Sequence, residues 1–280
     1  MRQPDPADVA AQVRRALAED VGAGDLTAAL VPADAVARAE VIVREPAVLC
    51  GSAWFEEVFR QLDAEIRVDW SASDGAHLVA GQRVCTVQGM ARPVLSGERT
   101  ALNFLQTLSG TASRAAQYVA AVAGTQATVL DTRKTLPGLR LAQKYAVRCG
   151  GASNHRVGLF DAVLIKENHI RAAGSIAAAL RAAQAATSGD VMIEIEVEDL
   201  AELGQALGAG ATRILLDNFS LAQLREAVLL TAGRAELEAS GGVSLESVRE
   251  IALSGVDYIS VGQLTKDVRA TDYSMLFPAR

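Results

Sequence analysis

The spacing of apolar positions changes several times along the first part of the chain, and each change predicts an element. Val9, Val13 and Leu17 recur at helical spacing and predict a helix over 6–19. The Gly-rich VGAGDLT predicts a turn, and the alternation around Val41 and Val43 in AEVIVRE predicts a strand. GSAWFEEVFRQL predicts a second helix, and EIRVDW and QRVCTVQG two further strands. SGERTALNFLQTLSGTASRAAQYVAAVA, about 96–123, predicts a long helix with a break near Ser109-Gly110. No low-complexity linker follows, so this helical region is where the first domain passes into the second.

From about residue 127 short apolar runs alternate with Ala-rich helical stretches. The runs are ATVLD, DAVLIK, VMIEIEVE, RILLDN, AELEAS and DYISVG; the helices include SIAAALRAAQAA, LAELGQALGAG, LAQLREAVLLTA and SLESVREIALSG. This is the βαβα order of a parallel sheet or barrel. Nearly every run ends in a polar or small residue: Asp131 with Arg133 and Lys134, Lys166, Glu196, Asp217, Ser240 with Gly241 and Gly242, and Gly262. Groups from so many strand ends converge only when those ends ring one centre, as at the C-terminal mouth of an α/β barrel. An open doubly wound sheet would gather its site at one switch point instead. Six runs fall short of the eight of a complete barrel, and a barrel is favoured over an open sheet.

Composition narrows the class. Of 280 residues 50% are hydrophobic and 21% charged, with 27 Lys+Arg against 33 Asp+Glu. That is an ordinary globular balance, and a net charge of −6 argues against nucleic acid as the main partner. No apolar run approaches the ~20 residues that cross a bilayer. The start MRQPDPADVAAQVRRALAED has no apolar core of a secretory signal, and the three cysteines (Cys50, Cys85, Cys149) are scattered and odd in number. Reduced thiols and a cytoplasmic location are expected, rather than a disulfide framework or a zinc site.

Against this acidic background, residues 131–171 hold eight basic side chains and only three acids. Arg140, Lys144 and Arg148 recur every four residues and predict one helix face, either solvated or at a subunit contact. Arg133, Lys134, Arg156 and Lys166 stand at strand ends or in an adjoining loop, where guanidinium forks suit carboxylates and phosphates. Lys166 closes a run read as buried, so it needs a partner. His155, between Asn154 and Arg156, is expected to touch an anionic substrate, whereas His77 and His169 read as structural.

Ile193, Ile195 and Val197 take one face of VMIEIEVED, and Glu194, Glu196 and Glu198 the other. Glu196 and Asp217 suit Mg²⁺ carried by substrate phosphates, or a cationic sugar transition state, or salt bridges with Lys166 and Arg133. The turns Ser240-Gly241-Gly242 and Ser260-Val261-Gly262 offer backbone N–H groups to a phosphate. Residue chemistry alone thus points to a barrel enzyme acting on a phosphorylated sugar and an acidic partner.

The ordered motifs are more specific. DTRKTLPGLRLAQKYAVRCGGASNHRVGLFDAVLIKENH resembles the quinolinate phosphoribosyltransferase family. EDVGAGDLT, SGERTALNFLQTLSG, IEIEVE, LLDN, EASGGV and GVDYISVGQLTKDVRATDYSM resemble it too, in the family's order, over about residues 17–276. Only Ala152-Ser153 departs, where a more Gly-rich turn would be expected.

The resemblance implies an α/β fold: an N-terminal α/β sandwich domain (1–111, with the tail of about 268–280 packing back on it) and an incomplete barrel of about seven strands (112–267). It implies a homodimer using quinolinate and 5-phosphoribosyl 1-pyrophosphate, with Mg²⁺, to make nicotinate mononucleotide, CO₂ and pyrophosphate for NAD biosynthesis. By the same resemblance Arg133, His155, Arg156 and Lys166 hold the quinolinate carboxylates, with Arg99 reaching over from the partner subunit. Lys134 and Lys166 face the phosphoribosyl donor, and Ser240, Gly241 and Gly262 take its 5′-phosphate. Glu196 and Asp217 serve the ribose hydroxyls and Mg²⁺, in part through water and substrate; with Lys134 and Lys166 they form the catalytic group. Two rivals stand beside this reading. A paralogue associated with molybdenum transport would have less use for the full basic set, and a non-catalytic anion-binding barrel would gain nothing from carboxylates at its mouth.

Overall fold

The computed structural model describes residues 3–277, which fall into two compact units. The first comprises the chain up to Ala116, Leu136–Gly151 and the residues from Asp267 onward; the second comprises Gln117–Thr135 and Ala152–Lys266. Residues 136–151, read from sequence as part of the barrel, therefore belong to the first unit.

In the first unit the elements are α1 (Pro6–Asp20), β1 (Val36–Val43), β2 (Ala47–Val48), α2 (Ser52–Leu62), β3 (Arg67–Trp70), β4 (His77–Leu78), β5 (Arg83–Met90), α3 (Ala91–Ala121, to residue 116) and α4 (Arg140–Cys149). β1 runs antiparallel to β5, and β5 to β3. The C-terminal strand Tyr273–Leu276 adds to the free edge of β1, pairing Tyr273 with Val43 and Leu276 with Glu40. The helices cover the sheet with Trp54, Phe55, Phe59, Leu102, Leu105 and Leu108, none more than 2% exposed. Each such side chain contributes roughly 1.5–3 kcal/mol of burial.

The break expected at Ser109-Gly110 does not occur, and α3 runs through it. Both small residues are there for packing. A Cβ on Gly110 would meet the Arg269 carbonyl oxygen at 2.1 Å. The Ser109 hydroxyl accepts from the Cys50 amide (3.0 Å) and from the Tyr273 hydroxyl (3.0 Å). α4 carries the expected basic stripe, yet Lys144 is only 2% exposed, so that face is not a solvated one.

The second unit contains β6 (Thr128–Leu130), β7 (Val163–Ile165), α5 (Glu167–Ala173), α6 (Ile176–Ala186), β8 (Ile193–Val197), α7 (Leu200–Gly208), β9 (Arg213–Asp217), α8 (Leu221–Thr231), β10 (Glu236–Ser240), α9 (Val248–Ala252), β11 (Tyr258–Ser260) and α10 (Gln263–Lys266). All six strands coincide with the apolar runs read from sequence. They form one parallel sheet in the order β6-β11-β10-β9-β8-β7, and Ser153 bridges Leu130 in the place of a seventh strand. The sheet is barrel-like, wrapped by helices and open between its end strands.

Local chemistry starts three of these helices after their strands. Ser175 and Asp199 cap α6 and α7 by accepting from Ala178 and Glu202 amides, and Ser220 with Gln223 forms a capping box on α8. Parallel register then aligns the C-terminal ends. Asp217 lies opposite Ser240, and Ser260 opposite Leu130.

Candidate active site

The aligned strand ends enclose a cavity of about 570 Å³ in the second unit, a size typical of small-molecule sites. Arg133, Lys134, His155, Arg156, Lys166, Glu196, Asp217, Ser240, Gly241 and Gly262 all line it. Sequence reasoning therefore gathered ten residues that the fold brings to one place. Arg99 belongs to the first unit, exposed on α3, beside a groove lined by Asp20, Asp25, Leu26 and Leu30.

A buried carboxylate organises the basic side. Asp131, with no exposure, accepts from the Asn154 side-chain amide at 2.6 Å and from the His155 backbone N–H at 2.9 Å. It thereby fixes the loop that carries Asn154, His155 and Arg156. Burial and the charge of Arg133 both lower the pKa of Arg156, which records two guanidinium groups held close together. Such crowding of cations suits an anion set between them. Gly262 keeps room for Lys134, whose Cδ would stand 3.1 Å from a Cβ there, and Thr265 donates to the Lys134 carbonyl at 2.7 Å.

Opposite lie the acids. Glu196 ends β8 beside Lys166, and the two are ion-paired. Lys166 is not the buried charge that the run before it suggested: its side chain is 47% exposed, because β7 stops at Ile165 and Lys166 already caps α5. Glu198 has its pKa raised, first by Glu167 and then by slight burial and by Glu202, Asp217 and Glu196, so the acids form a negative rim. The cavity is thus polarised, with cations from β6, β7 and the His155 loop on one side and carboxylates from β8 and β9 on the other.

Between them the turns after β9 and β10 interlock. Asn218 adopts a left-handed conformation (φ 57°), donates its amide to the Ser240 carbonyl at 2.9 Å and its side chain to Asp217 at 2.8 Å. Gly241 (φ 101°) admits no side chain, since a Cβ would stand 2.1 Å from Asn218 Oδ1. Backbone amides exposed at such a turn are ready donors to a phosphate.

Beneath lies a layer of which the sequence pattern singles out only Glu194. Glu194 and Glu238 are wholly buried, and Arg213 bridges them, with Nε 3.2 Å from Glu194 and an Nη 2.9 Å from Glu238. The Arg213 guanidinium also lies 3.9 Å over the Tyr258 ring. His155 Nε2 is 2.8 Å from Glu194 and 3.5 Å from Glu238. The backbone N–H of Arg156 donates to His155 Nδ1 at 2.7 Å. That amide can only donate, so Nδ1 presents a lone pair and Nε2 carries the proton toward Glu194. Both ring nitrogens of His155 are therefore turned to protein groups rather than to a ligand.

Burial lowers the His155 pKa, but the Glu194 hydrogen bond and the charges of Glu238 and Glu194 more than reverse this. Burial and the nearby Glu194 push Glu238 up to about 7. The signal for this layer was parity: residues two apart share a strand face, which links 194 to 196, 213 to 217 and 238 to 240. Parity gives the face and not the depth.

Among the described residues, three potential ligand atoms approach within 4.8 Å only at Cys50–Asp74–Cys149 and at His155–Glu194–Glu238. In the latter Arg213 already supplies the cation. Glu196 and Asp217 thus offer two carboxylates without a third, which fits Mg²⁺ that keeps its waters and takes phosphate oxygens from a substrate.

Known proteins resemble this chain over most of its length. Residues 25–109 match the family model for the quinolinate phosphoribosyl transferase N-terminal domain, and residues 111–276 match that for its C-terminal domain. The chain is 46% identical over 273 residues to the nicotinate-nucleotide pyrophosphorylase (carboxylating) of Mycobacterium leprae, covering 94% of this chain and 95% of that protein. It is 41% identical over 257 residues to a probable nicotinate-nucleotide pyrophosphorylase (carboxylating) of Bacillus subtilis, covering 92% and 89%. The solved structure of the nicotinate-nucleotide pyrophosphorylase from Francisella tularensis superposes with a TM-score of 0.96 at 46% identity, over 99% of this chain and 98% of that one.

Proposed function

The chain belongs to the quinolinate phosphoribosyl transferase family, and we propose that it makes nicotinate mononucleotide for NAD biosynthesis. It transfers phosphoribosyl from 5-phosphoribosyl 1-pyrophosphate to quinolinate, releasing CO₂ and pyrophosphate. The observation that carries this reading is the polarised cavity, in which clustered cations face Glu196 and Asp217 across about 570 Å³.

The two carboxylates of quinolinate dock on Arg133, Arg156 and Lys166. His155 acts from behind, tying the Arg156 backbone to the buried acids. Lys134 faces the pyrophosphate, and the amides after Ser240 and Gly241 hold the 5′-phosphate. The pyridine nitrogen then forms a bond to ribose C1 as the bond from C1 to the pyrophosphate oxygen breaks. Positive charge grows on the sugar in between, and the carboxylates of Glu196 and Asp217 favour it. Lys166, ion-paired with Glu196, holds that carboxylate in place. The quaternised ring nitrogen next draws in the electron pair released when the neighbouring carboxylate leaves as CO₂, and a proton from water replaces it. Placement and charge complementarity supply most of the acceleration. Glu196 and Asp217 would hold Mg²⁺ through water, and the ion, when bound, neutralises the departing pyrophosphate.

The proposal includes a cytoplasmic location and a homodimer in which Arg99 reaches the pocket of the partner subunit. Leu26 and Leu30, 89% and 83% exposed beside Arg99, supply an apolar surface for such a contact. The purified protein with quinolinate, the pyrophosphate donor and Mg²⁺ is expected to yield nicotinate mononucleotide, CO₂ and pyrophosphate. Turnover of nicotinic acid with none of quinolinate would overturn the assignment.

A further inference from the structure

We propose that Cys50 and Cys149 form a redox-active dithiol, converted to a disulfide by an oxidant of the peroxide class. Both lie in the first unit, Cys50 between β2 and α2 and Cys149 at the last residue of α4. Far apart in sequence, their sulfurs meet within 4.8 Å beside a carboxylate oxygen of Asp74. Both side chains are buried, Cys50 fully and Cys149 with 7% exposure.

A metal would be the other use for two thiols and a carboxylate. The hydrogen bonds of Asp74 argue against it. One oxygen accepts from the Gly51 amide (3.2 Å) and the Tyr145 hydroxyl (3.0 Å), and the other from the Ser52 amide (3.2 Å). This carboxylate serves as the N-terminal cap of α2, whose own N-cap residue is Gly51 with no side chain to offer. Both oxygens of this carboxylate are thus already engaged, by the helix N-terminus and by Tyr145.

The two thiols are unequal in a way that suits exchange. Cys50 donates a hydrogen bond to the Cys149 sulfur, which lowers the Cys149 pKa against burial and the charge of Asp74, while burial raises that of Cys50 well above the ordinary value. Cys149 is the nucleophile and Cys50 the resolving thiol. The Cys149 thiolate attacks one peroxide oxygen, breaking the O–O bond and leaving a sulfenic acid and hydroxide. The Cys50 sulfur then attacks the sulfenic sulfur, the S–S bond forms, and the S–OH oxygen departs with the Cys50 proton as water. Two thiols lose two electrons in total, and hydrogen peroxide becomes two waters.

The sulfurs, within 4.8 Å of each other, must close to about 2.05 Å for the bond to form. Beyond Cys149 the chain is anchored, since a Cβ on Gly150 would stand 2.2 Å from the Ala112 carbonyl oxygen. The cross-link joins two residues of one unit, closes a long loop of the chain and so restricts the unfolded state.

The test treats the folded protein with hydrogen peroxide, alkylates remaining thiols and maps unreduced peptides by mass spectrometry. A Cys50–Cys149 linked peptide is expected, reversed by dithiothreitol, with Cys85 still alkylated on unfolding. The oxidised protein should melt about 5 °C or more above the reduced one. In Cys50→Ser the reaction should halt at a sulfenic acid on Cys149 that dimedone traps. The absence of the linked peptide overturns the proposal, as does sulfinic acid on Cys149 with Cys50 still open to alkylation. Should Cys50→Ser fail to fold, the peptide map of the unaltered protein decides alone.

Discussion

His155 donates from Nε2 to a carboxylate oxygen of Glu194 at 2.8 Å, and Glu194 has no exposure to solvent. The catalytic mouth therefore rests on a buried layer in which Arg213 pairs with Glu194 and Glu238 while His155 donates a hydrogen bond to Glu194. Replacing one member leaves the others as unmatched charge in a dry place. Glu194→Ala is expected to cost about 3–5 kcal/mol of stability. Urea unfolding measures this directly, and a loss below about 1 kcal/mol would mean that the layer is solvated or dispensable.

The same layer should give stability a pH dependence with a defined sign. The Glu238 carboxyl titrates at about 7 in the folded protein against 4.5 for an unperturbed one, so between those values the folded state holds more protons than the unfolded chain. Its contribution is complete below pH 4.5 and falls as pH rises toward 7. Glu194 has the opposite sign, its lowered pKa contributing above 4.5 and losing that contribution on acidification. In Glu238→Gln the fall toward neutrality disappears, so the stability of the variant relative to the parent should climb across the window and then level. A difference independent of pH would assign the proton elsewhere.

Removing Lys166 or Arg133 tests the anion side of the cavity. Each Ala variant, with its fold verified by circular dichroism, is expected to weaken quinolinate binding by about 30-fold or more, the scale of a lost charge-assisted hydrogen bond. Titration calorimetry reads the effect without turnover. Unchanged affinity in both would move the quinolinate site away from these strand ends.

Gly241→Ala should act on the other substrate. Its φ of 101° and the 2.1 Å approach of Asn218 Oδ1 force the turn to shift. A KM for the phosphoribosyl donor raised about 10-fold or more, with quinolinate affinity kept within about 2-fold, is expected from loss of amide donors at the phosphate. Equal loss for both substrates would indicate general damage to the mouth.

Arg99 can be tested by mixing. Inactive Arg99→Ala and Lys166→Ala subunits, once exchanged, should regain part of the activity through hybrid dimers that hold one intact pocket. Verified exchange without recovery would count against a pocket shared between subunits.

Much of the second unit was legible because its signals are local. Strands buried on both faces read as apolar runs, and the residues that stop them must leave the sheet at its C-terminal edge, as Asp217, Ser240 and Gly262 do. The break in α3 was misread because Ser109-Gly110 looks like punctuation. Its reason is a carbonyl from Arg269, distant in sequence. The run before Lys166 implies burial, but one residue decides whether a strand continues or a helix begins, and Lys166 caps α5.

The sequence by itself determined the order of strands, the chemistry at their ends and the family to which the chain belongs. The first two follow from periodicity and residue type, which neighbours in the chain impose, and the family follows from the resemblance of its ordered motifs. Only the tertiary structure decided depth and partnership. Glu194 and Glu196 share a strand face, yet one is sealed against Arg213 and His155 while the other meets Lys166 at the mouth. Cys50 and Cys149, scattered thiols in the sequence, come within 4.8 Å. Such pairings arise from the packing of segments distant in the chain, and no local pattern encodes the distance between them.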